Sequence, residues 1–214
     1  MANVLLGVTG SVAAIRTPEL YAALRQAGHT VRIVATQAAT YFFDPAAIEP
    51  ADPNRPERNR AVAFLDEDEW PGQRWRRDEP VLHIELRRWA ELFLIAPLDA
   101  NTLAKLANGL CDNCLTCVWR AWGPARPVLL APAMNTLMWD HPLTTRHFQQ
   151  LAAVLGSSEP ATTLDRDGLI EWINKASPRL RIVPPQSKRL ACGDVGVGAM
   201  ADVEMIVNAV RRML

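Results

Sequence analysis

The residues of this chain best equipped for chemistry are a histidine, a cysteine and an asparagine set far apart. His83 stands in "VLHIELRRW" with apolar neighbours Val81, Leu82, Ile84 and Leu86. Imidazole titrates near neutral pH, so His83 suits a general base; it equally suits a hydrogen-bonded structural place on a half-apolar face. Cys192 stands in "LACGDVGVGAM" among Gly193, Gly196 and Gly198. Those glycines permit positive φ and a loop that closes, bringing a thiol onto a bound substrate. The plainer reading of Cys192 is a small buried hydrophobe in a turn. Asn135 ends "APAMN", where it fits either a helix N-cap or a neutral donor to a ligand carboxylate. In "TGSVAA", Gly10 and Ser11 begin a helix whose free N–H groups and hydroxyl suit a phosphate monoester as well as an ordinary cap.

Other chemistries find little footing. "TGSVAA" is not the Gly-x-Gly-x-x-Gly dinucleotide fingerprint, and there is no P-loop Gly-Lys-Ser/Thr, which weakens dinucleotide and triphosphate binding. No Gly-x-Ser-x-Gly elbow and no zinc-ligand spacing appear, so the expectation for metal is none. Cys111, Cys114 and Cys117 lack the fourth cysteine and following proline of an iron–sulfur run; at i, i+3, i+6 they read as core thiols of an apolar helix. His29 follows a helix-ending glycine, and His141 and His147 flank a surface helix.

These groups need a frame. "NVLLGV" reads as a strand, "TGS" as a turn and the following segment to Gly28 as a helix; "HTVRIVAT" is a second strand, which completes a βαβ unit. A helical segment runs through Trp89 to Glu91, then a buried strand "LFLIAP", then a helix opened by Asp99 or Asn101. "RPVLLAPAMN" repeats the grammar of apolar strand, Ala-Pro and a polar helix start. The fold expected is α/β: a doubly wound parallel sheet in one domain over 1–214. Ligands bind beyond the carboxyl ends of strands in such sheets, so "TGS", "APLDANT" and "APAMN" converge on one rim and make one site. Two insertions are expected, a proline-rich one near 50–62 and one at 156–180 carrying a short helix around "GLIEWIN".

The 214 residues are 49% hydrophobic and 21% charged, an ordinary globular composition. Twenty-three basic and 23 acidic residues cancel, which gives no electrostatic reason to expect nucleic acid or an anionic membrane as partner. The apolar run in "MANVLLGVTG" is too short for a signal or a span, so a cytoplasmic location is expected. Free thiols fit a reducing compartment.

Four segments, "GVTGSVAA", "HIELRRWAELFLIAPLDANTLAKLANGLCDN", "PAMNTLMWDHP" and "KRLACGDVGVGAMAD", stand in the order and spacing of the homo-oligomeric FMN-containing cysteine decarboxylases. Within that family the chain most resembles the monofunctional phosphopantothenoylcysteine decarboxylases. The resemblance implies a flavodoxin-like subunit that binds FMN and assembles as trimers with the active site between subunits. It implies flavin contacts at Gly10, Ser11, Val12, Ala13, Thr36, Asp99, Ala100, Asn101, Thr102 and Ala133. It makes His83 the base, Asn135 the carboxylate-binding residue and Cys192 the acid of the reducing step. Arg189, Ala191 and Met200 match the loop that closes on the substrate. Asp99 stands where many members have serine, although some eukaryotic-type members also carry "DANT".

The reaction implied is loss of carbon dioxide from the cysteine moiety of 4′-phosphopantothenoylcysteine, in coenzyme A biosynthesis. FMN first oxidises the side chain to a thioaldehyde, the C=S group takes up the electrons of decarboxylation, and the enethiol is then reduced with a proton from Cys192. Relatives that oxidise peptide C-terminal cysteines lack this cysteine. A flavin-binding regulatory subunit of a protein phosphatase is the other alternative, and such relatives tend to carry acidic tails or long extensions, whereas this chain ends in "VRRML". With no fused synthetase, another polypeptide is expected to supply the substrate.

Overall fold

A computed structural model describes residues 1–48, 62–72, 74–154, 164–189 and 195–214. Ala191, Cys192 and nearly all of the first expected insertion lie outside the described residues. In chain order the elements are β1 (Asn3–Val8), α1 (Thr17–Gln26), β2 (Thr30–Ala35), β3 (Ala63–Phe64), α2 (Asp66–Glu69), α3 (Leu82–Trp89) and β4 (Leu92–Leu98). There follow α4 (Ala100–Asn108), α5 (Cys114–Trp122), β5 (Val128–Pro132), α6 (Thr136–Asp140) and α7 (Pro142–Val154). The chain closes with α8 (Arg166–Ala176), β6 (Leu180–Ile182), β7 (Gln186–Arg189), β8 (Val195–Ala199) and α9 (Val203–Met213).

Six strands form one sheet in the order β3-β2-β1-β4-β5-β6, with every pairing parallel, as the uninterrupted apolar runs require. Side chains alternate between its faces. Leu5, Phe93, Ile95 and Leu130 meet Leu86, Leu103, Leu115, Trp122 and Phe148 on one side. Val4, Leu6, Ile33 and Leu94 meet Leu20, Leu24, Ile206 and Val210 on the other. Each such buried side chain contributes about 1.5–3 kcal/mol, so both layers of helix are held by the sheet. The expected flavodoxin-like, doubly wound single domain is what the chain forms. Strand order reverses between β1 and β4, which opens a crevice beyond their carboxyl ends.

Two expectations need correction. The helical segment ends at Trp89 rather than Glu91, because Ala90 turns extended (ψ 147°) and the Glu91 N–H donates to Asn3 O at 2.8 Å, starting the sheet. Cys111 does not share a helix with Cys114 and Cys117: Asn113 caps α5, its Oδ1 accepting from Thr116 N at 2.8 Å, so the helix starts after Cys111. The described part of the 156–180 segment carries the helix expected around "GLIEWIN". Its α8 buries Leu169, Ile170 and Ile173 in the core, and the Asn174 amide bonds both N and O of Ile182 at 2.8 Å, fastening α8 to β6.

Candidate functional site

At the crevice the ends of β1 and β4 are tied together by Thr9. Its Oγ1 donates to Pro97 O at 2.9 Å and accepts from Asp99 N at 2.8 Å. Asp99 is the N-cap of α4, with Oδ1 accepting from Thr102 N at 2.7 Å. Gly10 is required here by close approach, since a Cβ would lie 2.6 Å from Ala38 Cβ and 3.3 Å from Asp99 Oδ2. Ser11 then caps a short 3-10 turn, Val12–Arg16, that leads into α1.

The third loop leaves β5. Ala133 N donates to Leu98 O at 2.9 Å, and Asn135 caps α6 with Oδ1 accepting from Leu137 N at 2.8 Å. The capping reading of Asn135 is what the structure shows, with the amide oxygen taken up by the start of the helix. Over this loop lies the antiparallel β7–β8 hairpin. Gly198 O accepts from Met134 N at 3.0 Å, and a Cβ on Gly198 would sit 2.1 Å from Met134 O. On Gly196 a Cβ would sit 2.4 Å from Thr136 Oγ1. These two glycines thus serve close packing, which the reading of them as a source of loop freedom did not foresee.

Together the loops enclose a cavity of about 860 Å³. Its walls include Gly10, Ser11, Val12, Ala13, Asp99, Ala100, Asn101, Ala133, Asn135 and Met200, with Ile15, Arg16, Phe42, Met134 and Met138 beside them. Thr36 and Thr102 are buried behind it and do not line it, and Thr36 Oγ1 has no hydrogen-bond partner among the described residues. Arg16 and Asp99 are the charged groups among the described lining residues. Hydrogen bonding to Glu19, aided by Asp202, raises the Arg16 pKa above its ordinary value. Of the lining residues Val12, Ile15 and Met138 are exposed, as is Leu137 next to Met138 in α6. Arg189 closes β7, and its side chain is outside the described part.

His83 does not line this cavity. It is placed at the start of α3, where Nδ1 lies 2.6 Å from Glu69 Oε1 and its backbone N–H donates to Glu69 Oε2 at 2.8 Å. The model of the Flavoprotein family matches residues 1–214. The chain belongs to the Flavoprotein family.

This flavoprotein is 45% identical to phosphopantothenoylcysteine decarboxylase of Mus musculus, over 99% of this chain and 87% of that one. A cysteine-to-serine mutant of PPC decarboxylase complexed with pantothenoylaminoethenethiol superposes with a TM-score of 0.77 at 41% identity, covering 98% of this chain and 96% of that one. The FMN binding protein AtHal3 superposes at 0.74 with 41% identity, over 98% and 95%.

Sequence reasoning on this flavoprotein missed Glu69 and Asp66, whose run "LDEDEW" looks like solvated surface. The available signal was their i, i+3 spacing, which puts two carboxylates on one helical face. Asp66 Oδ1 accepts from Cys114 N at 2.9 Å, so the pair serves the starts of α3 and α5 together.

Proposed function

We propose that this flavoprotein is an FMN-dependent decarboxylase that converts 4′-phosphopantothenoylcysteine to 4′-phosphopantetheine in coenzyme A biosynthesis. The observation that carries the reading is the cavity at the strand-order reversal, built by the Gly10, Asp99 and Ala133–Asn135 loops, in a chain 45% identical to a phosphopantothenoylcysteine decarboxylase. The residues present fit FMN. At about 860 Å³ the cavity is within the range of ligand sites, and its walls are largely apolar with a few fixed polar groups. Gly10 lines the cavity, and the absence of a Cβ lets its loop pack against Ala38 and Asp99 beside it. Ser11–Ala13, Asp99–Asn101 and Ala133 would hold the cofactor, with Thr36 and Thr102 supporting from behind. When bound, FMN would supply two-electron redox chemistry next to these residues.

The protein's own groups handle carboxylate and protons. Decarboxylation needs an electron sink next to the carboxylate, and a C=S carbon–sulfur bond in the oxidised substrate is one. Asn135 Nδ2 donates to the carboxylate and, being neutral, holds it without strongly favouring the charge that must be lost. His83 accepts the proton released from substrate, Cys192 Sγ returns one to the enethiol, and Arg189, Ala191 and Met200 belong to the closing segment.

The reading includes assembly. His83 is not among the described residues that line its own chain's cavity, so the reading has a second copy bring it there, with the exposed Val12, Ile15, Leu137 and Met138 as apolar surface for that copy to dock on. A homotrimer with sites between subunits meets this need, with catalysis by a small-molecule site and no call for nucleic acid or membrane. No helix among the described residues is long and apolar enough to cross a membrane.

The test is anaerobic incubation of the purified yellow protein with phosphopantothenoylcysteine, followed by product mass. Saturated phosphopantetheine supports the reading. An untouched substrate, or a wild-type product two hydrogens lighter, overturns it in favour of the regulatory or peptide-tailoring alternative. His83→Asn is expected to retain flavin and lose turnover, and Cys192→Ser to stop at the lighter product. A fully active monomer in light scattering would remove the shared site.

A further inference from the structure

We propose that Glu69 is the positioning residue of His83, fixing the imidazole tautomer so that Nε2 is the basic atom. The proposal deepens the reading of His83 as the base and rests on it. The Glu69 side chain is 5% exposed, while that of His83 is 24% exposed. A buried carboxylate is tolerated only where its oxygens are satisfied, and here both are. Oε1 lies 2.6 Å from His83 Nδ1; Oε2 accepts from the His83 backbone N–H at 2.8 Å and faces Cys114 Sγ at 3.7 Å. Burial, with Glu69 and Asp66 nearby, pushes the Cys114 thiol up, so it stays an S–H donor.

An ionised carboxylate can only accept, which obliges Nδ1 to carry the ring proton and leaves the lone pair on Nε2. The short helix that carries Glu69 is itself fixed, with Leu65 N donating to Asp68 Oδ2 at 2.7 Å and Asp66 clamping the start of α5. Ring orientation and tautomer are thus set before substrate arrives, which is what a base needs to act at one atom. A plain capping role would explain the backbone contact alone. The contact with Nδ1 is the part it leaves over.

Glu69→Gln separates the two. The amide has one acceptor oxygen; if that oxygen keeps the His83 N–H, the NH₂ group faces Nδ1, donates to it and drives the ring proton to Nε2. In the holoenzyme, turnover of phosphopantothenoylcysteine is expected to fall about 10²- to 10⁴-fold, the range a positioned base contributes, with KM and flavin content little changed. Glu69→Asp, acceptor-only but shorter, should recover part of the loss. With ¹⁵N-labelled histidine, NMR of the wild-type holoenzyme should show the His83 proton on Nδ1, and Glu69→Gln should move it to Nε2. Wild-type kcat in Glu69→Gln, or a wild-type proton on Nε2, overturns the proposal; so does a lowered Tm with kcat unchanged, the mark of a cap alone. If Glu69→Gln does not fold, the wild-type NMR still decides. Wild-type turnover in His83→Asn would instead remove the base reading itself, whatever the tautomer.

Discussion

Gly198→Ala should detach the β7–β8 hairpin from the loop it covers, whereas Gly196→Ala should be repairable. A Cβ on Gly198 would stand 2.1 Å from the Met134 carbonyl oxygen, roughly an ångström inside the closest approach real Cβ atoms show, and φ is +155°. The obstacle is backbone, so no rotamer relieves it. Moving the hairpin away gives up the Met134 N to Gly198 O hydrogen bond, worth about 1 kcal/mol, and overpacking costs about 1–3 kcal/mol more. The expected loss is about 2–4 kcal/mol, or a Tm lower by about 4–16 °C for a domain of this size. Because Ala199 and Met200 form part of the cavity wall, flavin binding should weaken as well.

Gly196 meets a side chain instead, Thr136 Oγ1 at 2.4 Å and Cγ2 at 3.1 Å. Thr136→Ala removes both atoms and should restore most of what Gly196→Ala loses, while doing little for Gly198→Ala. Thermal unfolding and flavin titration of the two single glycine variants, Thr136→Ala and the two doubles give the coupling energies directly. Gly198→Ala with the Tm and flavin affinity of wild type would refute the reasoning, as would equal rescue of both glycine variants by Thr136→Ala.

Two further outcomes follow from titrating groups away from the cavity. His29 is buried with neither ring nitrogen bonded among the described residues; burial, then the N-terminus and Arg211, lower its pKa, with Glu91 opposing. Its contribution to stability is therefore complete above the ordinary value of about 6.5 and is lost as pH falls from there towards the folded value, so denaturant midpoints should drop over that window in wild type and stay flatter in His29→Leu. Native alkylation at neutral pH should modify exposed Cys111 and spare Cys114, since burial removes access to Cys114 and raises its thiol; Cys117 is intermediate and pushed up to about 11. Peptide mapping that found Cys114 labelled as fast as Cys111 would contradict the burial described.

How far the sequence could be read depended on where each part's stabilisation comes from. "NVLLGV", "LFLIAP" and "PVLLAP" are legible as strands because a parallel strand is buried on both faces, and nothing but a continuous apolar run survives there. The three rim loops were legible for the same reason, since each follows such a strand. The α8–β6 unit was legible only as a helix, from Leu169, Ile170 and Ile173; its fastening to β6 was not, because that is made by Asn174, whose two bonds to Ile182 have no apolar signature.

The site divides along the same line. Its cavity wall belongs to segments next in sequence to buried strands, so motif and position pointed to it together. The environment of His83 does not: Glu69 reaches it from fourteen residues away across a loop, in an acidic run whose charge argues for solvent. A buried carboxylate announces itself in sequence only through its partners, and here those partners are the imidazole and backbone N–H of one residue, His83, and the thiol of another, Cys114, on a separate helix. That is why the residues around the histidine left a base and a structural place both open, and only the resemblance to a family made it the base. On the proposal made for Glu69, the carboxylate behind it would commit Nδ1 to carrying the proton and leave Nε2 as the basic atom, which is the difference the ¹⁵N spectrum of the wild type reads.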